Sequence, residues 1–433
     1  MANNLESNIN TKLMDAFIPA FESQRKVSKL ITTNAQNLVN NFDESTGDAF
    51  GAVRMKRPLQ FVPQETPDGD FTGKEKNPVK VGTVPAEVGD YLTVFIEMSD
   101  VERALKSKDV AEEMSQLVAP AAEDMCNQTE SNLVDRMSKN AALTSGDPTK
   151  SIDEWTDIAQ AGATMKALGL PTGKKYCVIN EFDGLALSGQ QLGLAVNPEV
   201  GNALSTATIA NNYAGFDSVF THDNMPAYTA GDINTGLTIK SAPTMTYDAL
   251  KDSYRQDLVI EAGSDATGKV IKAGTGLVIG GVNLVHLRNH KPIRGVGGAF
   301  IPLTVTVLED ATFTGTDANV KVSGCCIHED GVNGAYNTTD VKIVAGATVT
   351  IREDNDAIYG PSLAFHQAFF GMGSIKLKKL DATDASFTTH DGLNFRVTKF
   401  SDGTANTHQI RIDFRPTYAC LNPFFGERVY GNN

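Results

Sequence analysis

From Pro63 to Gly89 the chain reads PQETPDGDFTGKEKNPVKVGTVPAEVG, rich in proline, glycine and charge and almost free of large apolar side chains. Such a stretch cannot bury enough surface to build a core of its own. β-prone segments frame it, with Val53, Met55, Leu59, Phe61 and Val62 before it and Tyr91–Ile96 (YLTVFI) after it. A long hairpin without a core is either a disordered loop in solvent or lies on something else, and the second choice implies a neighbouring subunit.

The next stretch, Leu117–Asn140, has the opposite character. Val118, Ala122, Met125, Thr129, Leu133 and Met137 recur every three or four residues, while Glu130, Asp135, Arg136 and Lys139 fall near the other face. The spacing predicts one long helix of roughly 30 Å. Pro120 suits its first position, and Glu123 and Asp124 complement the positive end of its dipole.

At 433 residues the chain has room for about three domains, and 41% hydrophobic content is ordinary for packed cores. No apolar run is long enough for a bilayer span, and the N-terminus lacks a basic start, so a cytoplasmic product is expected. Five scattered cysteines, Cys126, Cys177, Cys325, Cys326 and Cys420, fit reduced thiols better than a disulfide framework. The formal charge of -14 opposes tight binding to polyanions. Its distribution is uneven: Thr229 to Arg352 holds 12 acidic and 11 basic residues, leaving 40 of the 52 acidic and 27 of the 38 basic residues elsewhere.

Before the hairpin, Leu13, Phe17 and Phe21 at helical spacing, followed by Arg25, Lys26 and Lys29, make an amphipathic arm. It packs on its own domain or docks on a neighbouring chain or an acidic or helical partner. After the long helix, Ser151 and Glu154 form a capping box opening a helix through Leu168, Tyr176–Ile179 reads as a short buried strand, and Asn180–Leu187 as a second helix. The alternation indicates an α/β unit. From about Thr229 short β-type runs follow one another, among them Leu237–Lys240, Met245–Tyr247, Leu258–Glu261, Leu277–Ile279, Leu303–Leu308, Val320–Val322, Val341–Val344 and Thr348–Ile351. Separated by Gly, Asp and Asn turns, they argue for a small antiparallel barrel inserted between two α/β stretches. A helical reading returns at Pro361–Phe370. The end is a hairpin turning at Asp402-Gly403, with Phe395, Val397, Ile410, Ile412 and Phe414 on one face and Arg396, Arg411, Asp413 and Arg415 on the other.

Catalytic patterns fail on inspection. Gly263–Lys269 (GSDATGK) spells a phosphate loop up to its lysine, but Val270 replaces the Ser or Thr and a β run follows, so a β-turn is expected. Cys325, Cys326 and His328 lack a second ligand pair at zinc spacing, and His286 and His290 have no glutamate between them. Asp68 with Asp70, and Asp354 with Asp356, lie in turn-rich segments that read as solvated loops. Arg54, Lys56 and Arg57 offer a charged strand face for subunit pairing, lipid or nucleic acid, without the aromatic residues nucleic acid favours.

The order of parts resembles the major coat proteins of tailed bacteriophages, above all those short-tailed phages whose coat carries an inserted barrel. The residues that carry the likeness are NNLESNI (Asn3–Ile9), STGD (Ser45–Asp48), KRPLQF (Lys56–Phe61), TPDGDFTG (Thr66–Gly73), LVAP (Leu117–Pro120), AGFDSVF (Ala214–Phe220), TMTYDALKDSY (Thr244–Tyr254), FFGMGSIKLKKL (Phe369–Leu380) and DFRPTYACLNPFFG (Asp413–Gly426).

The resemblance implies an α+β tailed-phage major capsid fold. Its expected parts are an N-terminal arm at 1–40, an extended loop with peripheral strands at 41–98, a spine helix at 99–145, an axial domain at 146–228 and 353–385, an inserted antiparallel β-barrel at 229–352, and a peripheral β hairpin with the C-terminus at 386–433. It also implies a shell-building protein with no catalytic, cofactor or metal site. Copies would form pentamers and hexamers of an icosahedral head with a scaffolding protein and a portal protein, around double-stranded DNA and without a membrane. Arg25, Lys26 and Lys29 are the candidate scaffold-docking residues, and Arg54, Lys56, Arg57, Asp68, Asp70, Lys74 and Lys76 the candidate contacts between subunits. An encapsulin-like cellular shell and an acidic β-rich hydrolase are the competing readings; no nucleophile and base constellation supports the second.

Overall fold

The computed structural model describes residues 16–31, 54–56, 59–99, 110–193, 208–375, 377–378, 384–402, 404 and 407–432. Leu13, Arg57, Gly403 and the motifs at 3–9 and 45–48 lie outside these residues. The chain divides into two compact units, one comprising Met1–Met55, Pro85–Val134 and Phe370–Ala419, the other Lys56–Val84, Asp135–Phe369 and Cys420–Asn433.

The first unit contains a four-stranded antiparallel sheet in the order Asp384–His390, Leu393–Asp402, Thr407–Phe414, Leu92–Ser99. Phe395, Val397, Ile410, Ile412 and Phe414 are all buried, as period-2 alternation requires. A helix over 16–24 lays Phe17 and Phe21 edge-on against Phe395, with ring centroids 5.1 and 4.9 Å away, and Phe21 also meets Phe414 at 6.1 Å. The helical spacing of the aromatics thus serves packing within the unit, each ring pair adding about 0.5–1.5 kcal/mol beyond burial. The YLTVFI strand pairs along its whole length with Thr407–Phe414, from Leu92 opposite Phe414 to Ser99 opposite Thr407. This corrects the expectation that it is the second arm of the hairpin begun at Val53: pairing with a distant apolar strand buries more than pairing with a coreless one.

The long helix runs Val110–Asn140, a turn and a half or more before the expected start. Pro120 therefore lies inside it and not at its first position; its side chain is exposed. The predicted stripe of Val118, Ala122, Met125, Thr129, Leu133 and Met137 is buried throughout, but Ala121, Cys126, Glu130 and Val134 are buried beside it. Glu130, assigned by periodicity to the free face, is 1% exposed.

In the second unit a mixed six-stranded sheet runs in the order Leu143–Ser145, Gly426–Val429, Ser362–His366, Lys175–Ile179, Phe216–Thr221, Thr208–Tyr213. Helices Trp155–Ala167 and Glu181–Gly193 cover one face through Ile158, Ala161, Met165 and Leu187, which pack with Cys177, Ile179, Val219 and Val429. The first of these helices is capped by Glu154 and Asp157, not by Ser151 and Glu154. Pro361–Phe370 is not helical: it holds strand Ser362–His366, and the strand that follows, Phe370–Ser374, belongs to the first unit. Every residue of SLAFH is buried because both faces of that strand are covered, and a fully buried strand carries no period to tell it from a helix.

Six antiparallel strands close a barrel: Leu237–Ile239, Arg255–Ala262, Asp317–Ser323, Pro302–Val307, Gly276–Asn283 and Thr348–Ile351. Leu258, Ile260, Leu277, Ile279, Leu303, Val305, Val320 and Val322 pack together as its core. Gly263–Lys269 is a turn, with the Asp265 carboxyl accepting from the Thr267 amide and hydroxyl at 3.1 and 2.6 Å. Met245–Tyr247 and Val341–Val344 are not strands. Tyr247–Leu250 forms a helical turn instead, and Val341 and Val344 are exposed.

Candidate assembly surfaces

The hairpin does have a support within its own unit. Its stem, strand Arg54–Lys56 paired with Thr83–Pro85, straddles the division between the units, and the support lies beyond it, within the second. Beyond that stem, Asn77 clamps the two arms, its side chain accepting from Val62 N–H at 3.0 Å and donating to Val62 C=O at 2.9 Å. Tyr336, which packs with the barrel core, then straddles both arms. Its hydroxyl accepts from Gln60 N–H at 3.0 Å and donates to Lys80 C=O at 3.3 Å, while its ring stacks on Tyr247 with centroids 3.7 Å apart. Lys80 pairs with Asp248 at 3.1 Å and Glu329 at 3.5 Å, and Asp252 accepts from the Thr83 amide and hydroxyl at 2.9 and 3.0 Å.

Alternation of the extended chain turns the other side chains outward. Leu59, Phe61, Val79 and Val81 are 44–67% exposed while Gln60, Val62 and Lys80 are partly covered. The stretch read as having nothing of its own chain to lie on thus has one supported face and one uncovered apolar face. Nothing in its own residues foretold Tyr336, Asp248 or Asp252; only the period-2 run VKVGTV (Val79–Val84) signals a two-faced strand.

The hairpin tip carries Asp68 and Asp70 in a tight turn. Asp68 accepts from Asp70 N–H at 3.1 Å, and Asp70 accepts from the Thr72 amide at 2.9 Å and hydroxyl at 2.7 Å. The Thr72 hydroxyl and amide hold the Asp70 carboxyl below the usual carboxylate range. Gly69 and Gly73, at φ +78° and +77°, supply the left-handed turns. Lys74 and Lys76 are exposed and have no ion-pair partner among the described residues. Arg54 and Lys56 lie on the stem strand, and nothing is described of their side chains.

The basic residues of the N-terminal arm are not equivalent. Arg25 is buried, its guanidinium paired with Glu22 and with Asp391 at 3.0 Å and donating to Ser28 Oγ at 2.9 Å. This corrects its reading as a freely presented docking charge. Lys29 is exposed and pairs with Glu22 at 3.1 Å; Lys26 is exposed. Burial alone would raise the Glu22 carboxyl, but Arg25 and Lys29 outweigh it and hold it below its ordinary value. The following turn is fixed by Glu130, which accepts from Val27 N–H at 2.9 Å and Ser28 N–H at 3.2 Å.

Residues screened for chemistry are occupied structurally. His286 Nδ1 accepts from Arg288 N–H at 3.2 Å and Asn289 N–H at 3.3 Å, capping its own loop. Cys325 and Cys326 are buried, and burial pushes the Cys326 thiol up. Among the described residues no group of three or more His, Cys, Asp or Glu is placed to hold a metal ion, and no helix is long and apolar enough to cross a membrane.

Comparison with known proteins bears on what these surfaces serve. The family model described as P22 coat protein, gene protein 5, matches residues 1–431. A protein described as major capsid protein, from Acyrthosiphon pisum secondary endosymbiont phage 1, is 33% identical over 434 residues, covering 100% of both chains. Among solved structures, the capsids of cyanophage P-SCSP1u and Ralstonia phage GP4 are similar at 10% identity each, with TM-scores of 0.40 and 0.41. They cover 93% and 95% of this chain and 99% and 92% of theirs, but are too distant to carry weight alone. The full-length matches define a class, the major capsid proteins of tailed phages. Within it, the chain belongs to the P22 coat protein family.

Proposed function

We propose that copies of this chain assemble, through pentamers and hexamers, into an icosahedral head that encloses double-stranded DNA. The observation that carries this reading is the uncovered apolar face of the hairpin, Leu59, Phe61, Val79 and Val81, on an arm whose other face is already occupied. An apolar stripe of this kind on a braced strand pair suits burial by a sister molecule. Arg54, Lys56, Arg57, Asp68, Asp70, Lys74 and Lys76 would then lie along or beside that contact. The net charge of -14 suits a container wall, since an acidic lining lets DNA slide past without sticking.

Assembly would take place in the bacterial host cytoplasm with a scaffolding protein and a portal protein. Lys26 and Lys29 are the side chains of the arm exposed for an acidic or helical scaffold segment, and Arg25 would act by holding their turn in place. In this reading residues 229–352 are the inserted domain, 146–228 and 353–385 the axial domain, and the remainder the peripheral domain and arm. The chain acts structurally and carries no catalytic or cofactor site.

The test is to replace Phe61, Val79 and Val81 together by serine and image the product with its scaffolding protein by negative stain. Retained secondary structure with loss of closed particles is expected. Normal particles from that variant would refute the role of the hairpin face.

A further inference from the structure

The chain enters and leaves the barrel through two crossovers that form a neck two strands wide. Tyr228–Thr229 pairs antiparallel with Ile358–Tyr359, Ala230 N–H donates to Ala357 C=O at 2.8 Å, and Asp356 N–H to Gly231 C=O at 3.0 Å. A lone two-stranded ribbon is marginally stable at best, so by itself it does not fix the direction in which a barrel points.

A second connection lies on the barrel wall. Thr304 and Thr306 sit two apart on strand Pro302–Val307 and so share a face, and Ser323 lies directly opposite Thr306 on the neighbouring strand. Leu303, Val305 and Val307 alternate with them and belong to the barrel core. The three hydroxyls are buried and donate to consecutive carbonyls at the end of the long helix: Ser323 to Asn140 at 2.8 Å, Thr306 to Ala141 at 2.6 Å and Thr304 to Ala142 at 2.9 Å. Carbonyls at a helix C-terminus lack partners within the helix, and here the barrel strands supply them. Gly324 permits the approach, since a Cβ there would stand 2.7 Å from that of Ala142.

Beside this comb the bonding runs in the opposite direction. Arg428, on the C-terminal strand of the six-stranded sheet and 1% exposed, donates to the carbonyl of Gly274 at the barrel's edge and, at 3.1 Å, to the Thr144 hydroxyl. A Cβ on Gly276 would lie 2.5 Å from the guanidinium, so the barrel strand carries glycine where the arginine passes. The buried carboxylate facing that charge is Glu353, just past the last barrel strand, which accepts from Tyr228 Oη at 2.8 Å, Gly276 N–H at 2.9 Å and Arg352 N–H at 3.1 Å. The Tyr228 hydroxyl stands 3.0 Å from that of Tyr430, so neck, barrel and C-terminal strand meet in one buried polar cluster.

Hydrogen bonds are directional where apolar contacts are not, and a buried donor or acceptor that loses its partner is costly. Ala142, Leu143 and Leu168 also pack with the barrel core, but such packing alone would let the barrel slide. A barrel turned about its neck strands the hydroxyls, the helix-end carbonyls and the guanidinium together. We propose that this seam is an orientation lock: it fixes the barrel's aim relative to the six-stranded sheet and the last turn of the long helix, so that the barrel is re-aimed only when the helix end or the C-terminal strand moves with it. The device lies wholly within the second unit of one chain, and it holds whether or not copies assemble.

The test reads orientation in the full-length chain. Spin labels are attached through Ser264→Cys, on an exposed barrel turn, and Ala163→Cys, on the exposed side of helix Trp155–Ala167, in a chain that also carries Cys420→Ser because the other four cysteines are buried. Pulsed electron resonance gives the distribution of distances between them. One narrow distribution is expected. Adding Thr304→Val, Thr306→Val and Arg428→Met should broaden it, and should quicken amide exchange at Ala230 and Asp356 in the neck about tenfold, the scale of one net hydrogen bond lost. Exchange in strands Arg255–Ala262 and Lys175–Ile179 should keep its starting rate. A broad distribution before the seam is altered, or a narrow one afterwards, would overturn the proposal. So would exchange that quickens equally in barrel, sheet and neck, the mark of a seam that only stabilises. If the triple variant does not fold, Thr304→Val with Thr306→Val alone is judged by the same outcomes. Particle formation enters none of them, so the result stands or falls apart from the shell reading.

Discussion

Glu130 accepts the Val27 amide at 2.9 Å, joining two residues 103 positions apart, and it accepts the Ser28 amide at 3.2 Å as well. The carboxylate thereby does for a turn of the arm what a capping residue does for a helix. Replacing Glu130 by alanine leaves two buried donors unpaired and should cost about 3 kcal/mol, while glutamine, which keeps one acceptor, should cost about half as much. Urea unfolding measures the difference. Proteolysis near residue 31 should quicken in the alanine variant before global unfolding sets in.

Asp413 sits opposite Arg396 in the terminal hairpin and accepts from its guanidinium at 2.6 and 3.1 Å, from Arg411 at 2.7 Å and from the Thr93 hydroxyl at 2.7 Å. Burial pushes the carboxyl up, but Thr93, Arg396 and Arg411 together hold it below its ordinary value. Asp413→Asn should cost about 3–5 kcal/mol, because it strands a buried guanidinium. The folded value lies below the unfolded one near ~4, so the stabilisation is present above that pH and is lost as pH falls through the folded value. The denaturation midpoint of the unaltered chain should therefore drop on acidification, and that of the asparagine variant should drop less.

Glu427 is the reverse case. It lies on the buried strand Gly426–Val429, neither carboxyl oxygen has a hydrogen-bond partner among the described residues, and Ser145 Oγ is also unpaired. Burial pushes the carboxyl well above its ordinary value. The proton is thus favoured in the folded state. Its contribution is complete below the unfolded value near ~4 and is lost as pH rises toward the folded one. Glu427→Gln should match the unaltered chain at acid pH and exceed it in stability by a margin that grows with pH, as read from paired thermal melts.

Tyr336→Phe keeps the stack on Tyr247 but removes the hydroxyl that ties Gln60 to Lys80. A loss of about 1–2 kcal/mol is expected, since the Gln60 amide is only partly buried. Hydrogen exchange at Gln60 should rise while exchange at the barrel core residue Val305 stays unchanged.

Elements whose two faces see different surroundings are legible in the sequence: the long helix from its stripe, the strands Leu393–Asp402 and Thr407–Phe414 from their alternation, the barrel from its spaced β runs. Ser362–His366 is not, because a strand covered on both faces loses its period. The long helix reads too short at its start because Pro120 looks like a beginning, although Asp109 with Glu112 three residues on is also a start signal in the sequence. Glu130 and Arg25 read as exposed because charge alone suggests exposure; Glu130 meets the backbone amides of Val27 and Ser28, and Arg25 adds the distant Asp391 to its local partners Glu22 and Ser28. The hairpin's support was hidden for the same reason: Tyr336 is more than 250 residues from Lys80.

Among the described residues the strand Leu92–Ser99 finds its neighbour only in Thr407–Phe414, whereas all six barrel strands fall between Leu237 and Ile351. A ribosome delivering this chain from the N-terminus therefore completes the barrel while Leu92–Ser99 is still waiting for its neighbour. For most of synthesis the nascent polypeptide carries one finished module and an unpaired strand edge, the interval in which a chaperone has most to do.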